Sequence, residues 1–175
     1  AKIRQIIDDL RHERYHWMPV RRTYVKKKNG RLRPLGLPSF SDKLLQEVIR
    51  SLLEAYYEPQ FSELSHGFRP QRGCHTALSQ IQHTWKGTHW FIEGDIKACF
   101  EQLDHQVLLK ILAEKIHDNR FLPLIKHLLQ AGYLEEWRYH TTLSGAPQGG
   151  LCKALHNPPY AKWKAMQSKG KKSLK

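Results

Sequence analysis

The sequence contains little cysteine, and none of it is spaced as in a metal site or a disulfide framework. The 175 residues include three cysteines, Cys74, Cys99 and Cys152, which are far apart and form no C-x-x-C pair. The eleven histidines are also scattered, and no H-E-x-x-H motif occurs. These absences argue against a zinc-binding or disulfide-stabilised class of protein and favour a reducing compartment.

Long apolar runs are also missing. No run approaches the about 18 residues that a membrane-spanning helix needs. The first residues, AKIRQIIDDL, do not have the character of a signal peptide. We therefore expect an intracellular protein that has no membrane partner.

Acidic residues are scarce compared with basic ones. The chain has 29 Lys and Arg against 16 Asp and Glu, for a formal net charge of +13. Such a charge attracts phosphate backbones and releases their counterions, so nucleic acid is the favoured partner. A basic protein without a nucleic-acid role is the alternative at this stage. The length predicts one domain or a part of a larger protein.

The spacing of apolar residues and turn signals predicts a mixed α+β chain. Asn29-Gly30 predicts the turn of a hairpin, Ser41 is the expected N-cap of the following helix, and Asp104 can cap a later one. Residues 133–140 read as a strand or an arm, and the basic tail after Gly150 is expected to be weakly ordered. The predicted elements, in order, are a helix at 2–16, a hairpin at 20–37, helices at 41–58 and 75–85, a strand at 89–95, and helices at 105–116 and 119–131.

The stretch WFIEGDIKACFEQLDH, residues 90–105, contains the candidate for chemistry. Its apolar start predicts a strand that ends at Asp95, where a carboxylate often faces a cleft and can hold magnesium. Phe100, five residues later, could form the wall of a sugar pocket. The alternative is that Asp95 only ends a strand and Phe100 belongs to the core.

Three further segments suit contact with phosphate or with a nucleotide. The predicted hairpin contains seven Lys and Arg residues, which could close over a triphosphate or could simply be solvated. Arg69 and Arg72 flank Pro70 in a loop, where guanidinium groups suit a phosphate or a base edge but are more often solvated. The loop around Gln148 is rich in Gly and Pro, so its backbone could approach a nucleotide closely or could form only a turn.

Four motifs taken together resemble the first four sequence blocks of a group II intron reverse transcriptase of the maturase type. They are KNGRLRPLGLP, SHGFRPQRGCHTAL, GDIKACFEQLDH and SGAPQGG, and they occur in this order. The resemblance implies the fingers and an incomplete palm of a right-hand polymerase fold. The division that it predicts is a basic helix at 1–19, fingers at 20–88, a partial palm at 89–150 and a basic tail at 151–175.

The resemblance also implies roles for individual residues. Asp95 resembles the first catalytic and metal-binding aspartate of the palm, and the carbonyl of Ile96 would complete that Mg²⁺ site. Phe100 resembles the aromatic gate that excludes a ribonucleotide 2′-hydroxyl. Lys27 and Arg33 resemble the cations that hold the triphosphate. Gln148 and Gly149 would border the nascent base pair. Arg69 and Arg72 lie in a block that the family uses near the template.

The resemblance has one large departure. The family carries a Tyr-Ala-Asp-Asp block after P-Q-G-G, and this sequence does not contain it. Two magnesium ions need carboxylates from both blocks, so we expect that the chain alone does not polymerise. We also expect the strand at 89–95 to have an unpaired edge and the domain to be marginally stable.

Two function hypotheses follow. The first is an incomplete reverse transcriptase whose intact form copies RNA into DNA and acts in splicing and mobility of its intron. Its partners would be intron or template RNA, a DNA primer and deoxynucleoside triphosphates, in the bacterial cytoplasm or in an organelle. The second is a non-enzymatic piece that binds intron RNA through its fingers.

Overall fold

The computed structural model describes residues 2–26, 29–94 and 103–142, which form an α+β fold. These residues contain five α-helices, one short 3₁₀ turn and four strands that join in a single sheet. The helices are α1 Lys2–Arg11, α2 Phe40–Tyr57, α3 Cys74–Thr84, α4 His105–Ala113 and α5 Phe121–Gln130, and the strands are β1 Val20–Lys26, β2 Leu32–Leu37, β3 Tyr133–Glu135 and β4 Arg138–His140.

The hairpin predicted at 20–37 is confirmed. Strands β1 and β2 pair antiparallel in a register that runs from Arg21 opposite Leu37 to Lys26 opposite Leu32. At the turn, the Asn29 side-chain oxygen accepts a hydrogen bond from the Arg31 backbone N–H at 3.2 Å. Gly30 has a φ of 77°, which a glycine adopts without strain. The Asn-Gly pair therefore lies in the connection between the two strands, where the sequence predicted a turn.

The start of α2 differs from the prediction. The N-cap is Ser39, not Ser41: the Ser39 backbone is extended, and its hydroxyl accepts from the Asp42 backbone N–H at 3.2 Å. Ser41 lies inside the first turn, where its backbone is already helical and cannot form the cap. The prediction of Ser41 as the cap is therefore wrong by two residues.

Asp42 connects the start of α2 to the segment before the sheet. Its carboxylate is almost completely buried and accepts hydrogen bonds from the Tyr15 hydroxyl at 2.8 Å, the Ser39 hydroxyl at 2.7 Å and the Met18 backbone N–H at 3.3 Å. Burial, with the hydrogen bond to Asp42, raises the pKa of Tyr15. Three donors offset the cost of burying this charge, so the network fixes where the chain enters β1.

One hydrophobic core joins α2, α4 and α5. The Trp17 ring packs into it, and its indole N–H donates to the Leu124 carbonyl at 3.0 Å. Charged and polar residues are exposed on the outer faces of α4 and α5, whereas α2 also exposes the apolar side chains of Val48, Leu52 and Tyr56. The buried members are Trp17, Leu45, Ile49, Leu53, Tyr57, Leu103, Leu108, Ile111, Leu112, Ile125, Leu128 and Leu129.

The sheet brings together segments that are far apart in sequence. Its strand order is β2-β1-β3-β4, with β3 parallel to β1 and antiparallel to β4. Residues 133–140, read from the sequence as a strand or an arm, are thus a hairpin that extends the first one. The predicted boundary between fingers and partial palm at 88 and 89 stays a prediction, and both core and sheet contain residues from either side of it.

The predicted strand at 89–95 is wrong over residues 89–94, which are irregular. Trp90 is 89% exposed and Ile92 is 99% exposed, so this apolar stretch does not enter the described core. A strand must pair its backbone groups, and none of the four described strands lies against this segment. Apolar residues favour a strand only where a sheet face can bury them. The prediction that this strand would have an unpaired edge is wrong for the same reason, because no strand forms over residues 89–94.

Helix ends account for the smaller differences. The N-terminal helix, predicted at 2–16, ends at Arg11, and Glu13 has a φ of 57° just after it. Asp104 caps α4 as predicted, since its carboxylate accepts from the Gln106 and Val107 backbone N–H groups at 2.8 and 3.0 Å.

Within the described ranges, no helix is long and apolar enough to cross a membrane.

Candidate nucleic-acid interface

Three of the predicted site residues, Arg33, Arg69 and Arg72, lie in the described part of the chain. The other six lie outside the described residues: Lys27, Asp95, Ile96, Phe100, Gln148 and Gly149. The geometry of the site can therefore be built only from the hairpin β1–β2, the loop before α3 and the hairpin β3–β4.

The hairpin β1–β2 presents cations on both of its faces. Arg33 is exposed on β2 opposite Val25, so it shares a face with Arg21. Arg22 and Lys26 occupy the alternate positions of β1 and therefore lie on the other face. The hairpin is thus a stiff, two-stranded arm with a positive surface, which suits binding to phosphate groups.

Arg69 is committed to the protein itself. Its side chain is 7% exposed, and its Nε and Nη2 both lie 2.9 Å from the Glu58 carboxylate oxygen Oε1. Its Nη1 donates to the Ser62 carbonyl at 2.7 Å and to the Ser65 carbonyl at 2.9 Å. Four hydrogen-bonding contacts of this guanidinium therefore hold the loop before α3 in place, and its contact with nucleic acid stays a prediction.

Arg72 lies at the edge of a polar pocket of about 530 Å³ between this loop and α3. It is half-buried, and its Nη1 donates to the Glu63 carbonyl. His66 also lines this pocket, and its ring nitrogens contact the Thr76 hydroxyl at 2.9 Å and the Gln80 side-chain oxygen. Of the two loop arginines, Arg72 is thus the more accessible to a phosphate or a base.

The substitution Arg69→Ala is expected to lower the free energy of unfolding by about 3 kcal/mol, because it leaves the Glu58 carboxylate partly buried without its cation. The measurement is urea unfolding followed by circular dichroism. Arg31→Ala is the matched control: this arginine is exposed beside the hairpin turn, and its loss should cost less than about 0.5 kcal/mol. Equal stability of the two variants would show that Arg69 does not hold the loop.

The sequence did not reveal a cluster on one face of the sheet. The Arg22 guanidinium lies 3.8 Å from the centre of the Tyr133 ring, which stacks on the His140 ring at 4.9 Å and 12°. Glu135 accepts from the Tyr24 hydroxyl and forms an ion pair with Arg22 at 3.4 Å. The Tyr24 hydrogen bond, helped by Arg22, lowers the pKa of Glu135, and the same bond raises the pKa of Tyr24.

Alternation of polar and aromatic residues at 22, 24, 133 and 135 was the one available signal for this cluster. It indicates that these residues share faces of their own strands. It cannot show that β3 pairs with β1, because that pairing spans more than a hundred residues. The cluster therefore depends on a long-range register that local pattern does not give.

Comparison with known proteins assigns the chain to a protein family. Residues 25–154 match the family described as reverse transcriptase (RNA-dependent DNA polymerase), and this range covers more than half of the chain. The chain therefore belongs to the reverse transcriptase family. The described hairpins, helices α2 to α5 and the core that joins them all lie within that range or next to it.

The curated relatives narrow the class to the group II intron type. The chain is 52% identical over 155 residues to the group II intron-encoded protein LtrA of Lactococcus lactis subsp. cremoris. The matched region covers 88% of this chain and 26% of LtrA. It is 49% identical over 149 residues to an uncharacterized 91 kDa protein in the cob intron of Schizosaccharomyces pombe, covering 85% of the chain and 18% of that protein. Nuclear intron maturase 1, mitochondrial, of Arabidopsis thaliana is 36% identical over 93 residues, covering 53% of the chain and 13% of that protein.

The resemblance to group II intron reverse transcriptases is thus confirmed, and the chain spans about a quarter of the length of the first of these relatives. The matched family is described as RNA-dependent DNA polymerases. Across the described ranges, no group of three His, Cys, Asp or Glu side chains could hold a metal ion. The candidate ligand Asp95 lies outside those ranges.

Proposed function

We propose that this chain forms the nucleotide- and template-binding part of a group II intron reverse transcriptase that copies RNA into DNA and acts in splicing and mobility of its intron. The observation that carries the proposal is the cationic hairpin β1–β2, most of which lies inside the matched range 25–154. Its two faces display cations on a rigid, paired backbone, which suits the gripping of phosphates. In this assignment residues 20–88 are fingers, 89–150 are partial palm and 151–175 are a basic tail.

The incoming nucleotide would be held by the hairpin and by two other segments. Lys27 and Arg33 would neutralise the triphosphate of a deoxynucleoside triphosphate, and Phe100 would exclude a 2′-hydroxyl. Gln148 and Gly149 would border the new base pair between the RNA template and the DNA primer. Arg72 would contact the template beside the polar pocket, with Arg69 fixing the loop that carries it.

The donor set around Asp95 fits magnesium. A carboxylate and the Ile96 carbonyl are hard oxygen ligands, the kind that Mg²⁺ prefers. When bound, the metal would offset the charge of the triphosphate. One carboxylate cannot fix two ions, and these 175 residues contain no Tyr-Ala-Asp-Asp block. Catalysis therefore belongs to a longer protein that supplies this block.

A second candidate function is RNA binding without catalysis. It is favoured by the net charge of +13 together with the lack of the second acidic block in these residues. Phosphate contacts by the hairpin would be enough for this function. Its cellular place would be the bacterial cytoplasm or an organelle, and no membrane partner is proposed.

Arg33→Ala tests the role of the hairpin in nucleotide binding. In a longer protein that carries this chain and the Tyr-Ala-Asp-Asp block, the KM for deoxynucleoside triphosphate should rise about tenfold, because one charge-assisted contact to the triphosphate is lost. Steady-state primer extension on an RNA template measures it. Lys126→Ala removes an exposed cation from α5, outside the hairpin, and is the control that should leave the KM unchanged. Equal KM values for all three proteins would contradict the assignment.

A further inference from the structure

The turn that joins β3 to β4 places a tryptophan in an unusual position. The two-residue loop is Glu136-Trp137, and the Trp137 side chain is 98% exposed. Both residues have positive φ angles, 48° and 64°. Two positive φ angles in a two-residue hairpin loop define the mirror-image turn that Asn-Gly or Asp-Gly normally occupies. A large aromatic residue therefore occupies a place that suits glycine.

This arrangement is unfavourable for folding in two ways. The left-handed backbone region brings the Cβ of a non-glycine residue close to its own carbonyl. The exposed indole also leaves apolar surface in water. Strained residues of this kind concentrate at functional sites, where another requirement outweighs the cost. Trp137 is thus a candidate for a contact with a ligand.

A second aromatic surface lies on the same hairpin. The Tyr133 ring has the Arg22 guanidinium at 3.8 Å and the nearly parallel His140 ring at 4.9 Å, so these two groups must take opposite faces of the tyrosine. The stack ends in His140, which is exposed. Its outer face is a flat, pre-positioned surface on which another ring can stack.

We propose that the hairpin β3–β4 is a stacking platform for unpaired RNA bases, with the Trp137 ring and the outer face of His140 as two stacking positions. This inference rests on the proposed function and deepens it, because it names the form of RNA that the chain recognises. Aromatic side chains bind single strands in this way, since every base has a flat face. Bases in the interior of a duplex are already stacked on both faces and cannot use the platform.

The charges favour RNA over a second copy of the chain. Arg138 is exposed on β4, and Arg22 lies in the stack itself. The Glu135 carboxylate is engaged by Tyr24 and Arg22. A second copy of the chain would bring a charge of +13 against +13, whereas RNA brings the opposite sign. Glu136 is exposed at the turn and opposes phosphate, so stacking rather than charge must supply the local preference.

The test compares two RNAs with the full 175-residue chain. The probes are a fluorescein-labelled, unstructured 12-nucleotide RNA and a long blunt duplex, in which few bases are terminal, each titrated by fluorescence anisotropy at low salt. Trp137→Gly should weaken binding of the single strand about tenfold, as expected for the loss of one stacked base, and should leave duplex binding unchanged. His140→Ala should weaken single-strand binding in the same direction.

Stability separates this effect from misfolding. Glycine suits a positive φ, so the Trp137→Gly chain should melt at a temperature no lower than that of the unmodified chain while it binds the single strand less well. Trp90→Ala is the matched control, because Trp90 is 89% exposed but lies outside the hairpin. It should bind both RNAs as the unmodified chain does.

Three results would overturn the inference. Unchanged single-strand binding by Trp137→Gly overturns the platform but leaves the proposed function standing. An unmodified chain that binds neither RNA overturns both. A change confined to self-association, seen by sedimentation of the Trp137→Gly chain, would show that the exposed ring serves a second copy of the chain and not RNA.

Discussion

RNA affinity of this chain is expected to fall about a thousandfold when salt rises from about 50 mM to about 200 mM, if about six phosphates are contacted. Binding to phosphates releases counterions into solution. The free energy gained from this release favours binding at low salt and becomes smaller as the salt concentration rises. The hairpin region alone contains seven Lys and Arg residues, and the described ones are exposed or half-buried on two faces. Filter binding or anisotropy across a salt series gives the slope of log affinity against log salt.

The slope also tests individual cations. Replacing one cation that contacts phosphate should reduce the slope by about one, while sequence preference stays low, because phosphate contacts carry no sequence information. Arg33→Ala is the first substitution to compare, with Glu93→Gln as an exposed control that removes no cation. An affinity that does not change between low and moderate salt would contradict a phosphate-dominated mode.

Asp95→Asn is expected to abolish DNA synthesis in a longer protein that carries the Tyr-Ala-Asp-Asp block. An amide is neutral, so it neither offsets the charge of two magnesium ions nor bridges them. In the present chain, the same substitution should leave RNA affinity unchanged or slightly higher, since a negative charge near the phosphate path is removed. Primer extension and RNA binding, measured side by side, check both statements.

Glu93→Gln is the matched control for this substitution as well. Glu93 is an exposed carboxylate two residues before Asp95, and its amide variant removes one charge from the same segment. It should leave DNA synthesis intact. Loss of synthesis in both variants would mean that the charge of the segment, and not Asp95 as a ligand, is what matters.

Local pattern predicted most of the regular structure. The hairpin β1–β2 follows from an Asn-Gly turn between two strand-forming runs, and α2, α4 and α5 follow from apolar residues at helical spacing. The cap at Asp104 follows from a carboxylate placed before such a run. In each case the determining residues lie within a few positions of the element that they form.

The features that pattern missed depend on distant partners. Residues 89–94 have strand-like composition, but composition cannot supply a neighbouring strand. The pairing of β3 with β1 and the stack of Arg22, Tyr133 and His140 depend on a register across more than a hundred residues. Arg69 looked like a cation for phosphate, and its engagement with Glu58 is visible only in three dimensions.

The most direct measurement of the central claim is a paired assay on the unmodified chain and on Asp95→Asn, in which RNA binding and primer extension on an RNA template are followed in the same buffer with magnesium. Both proteins should bind RNA with closely similar affinity, and neither should extend the primer, because these 175 residues lack the second acidic block. Extension by the unmodified chain, lost in Asp95→Asn, would contradict the claim that this chain cannot polymerise alone, because the second metal-binding acid would then come from within this sequence.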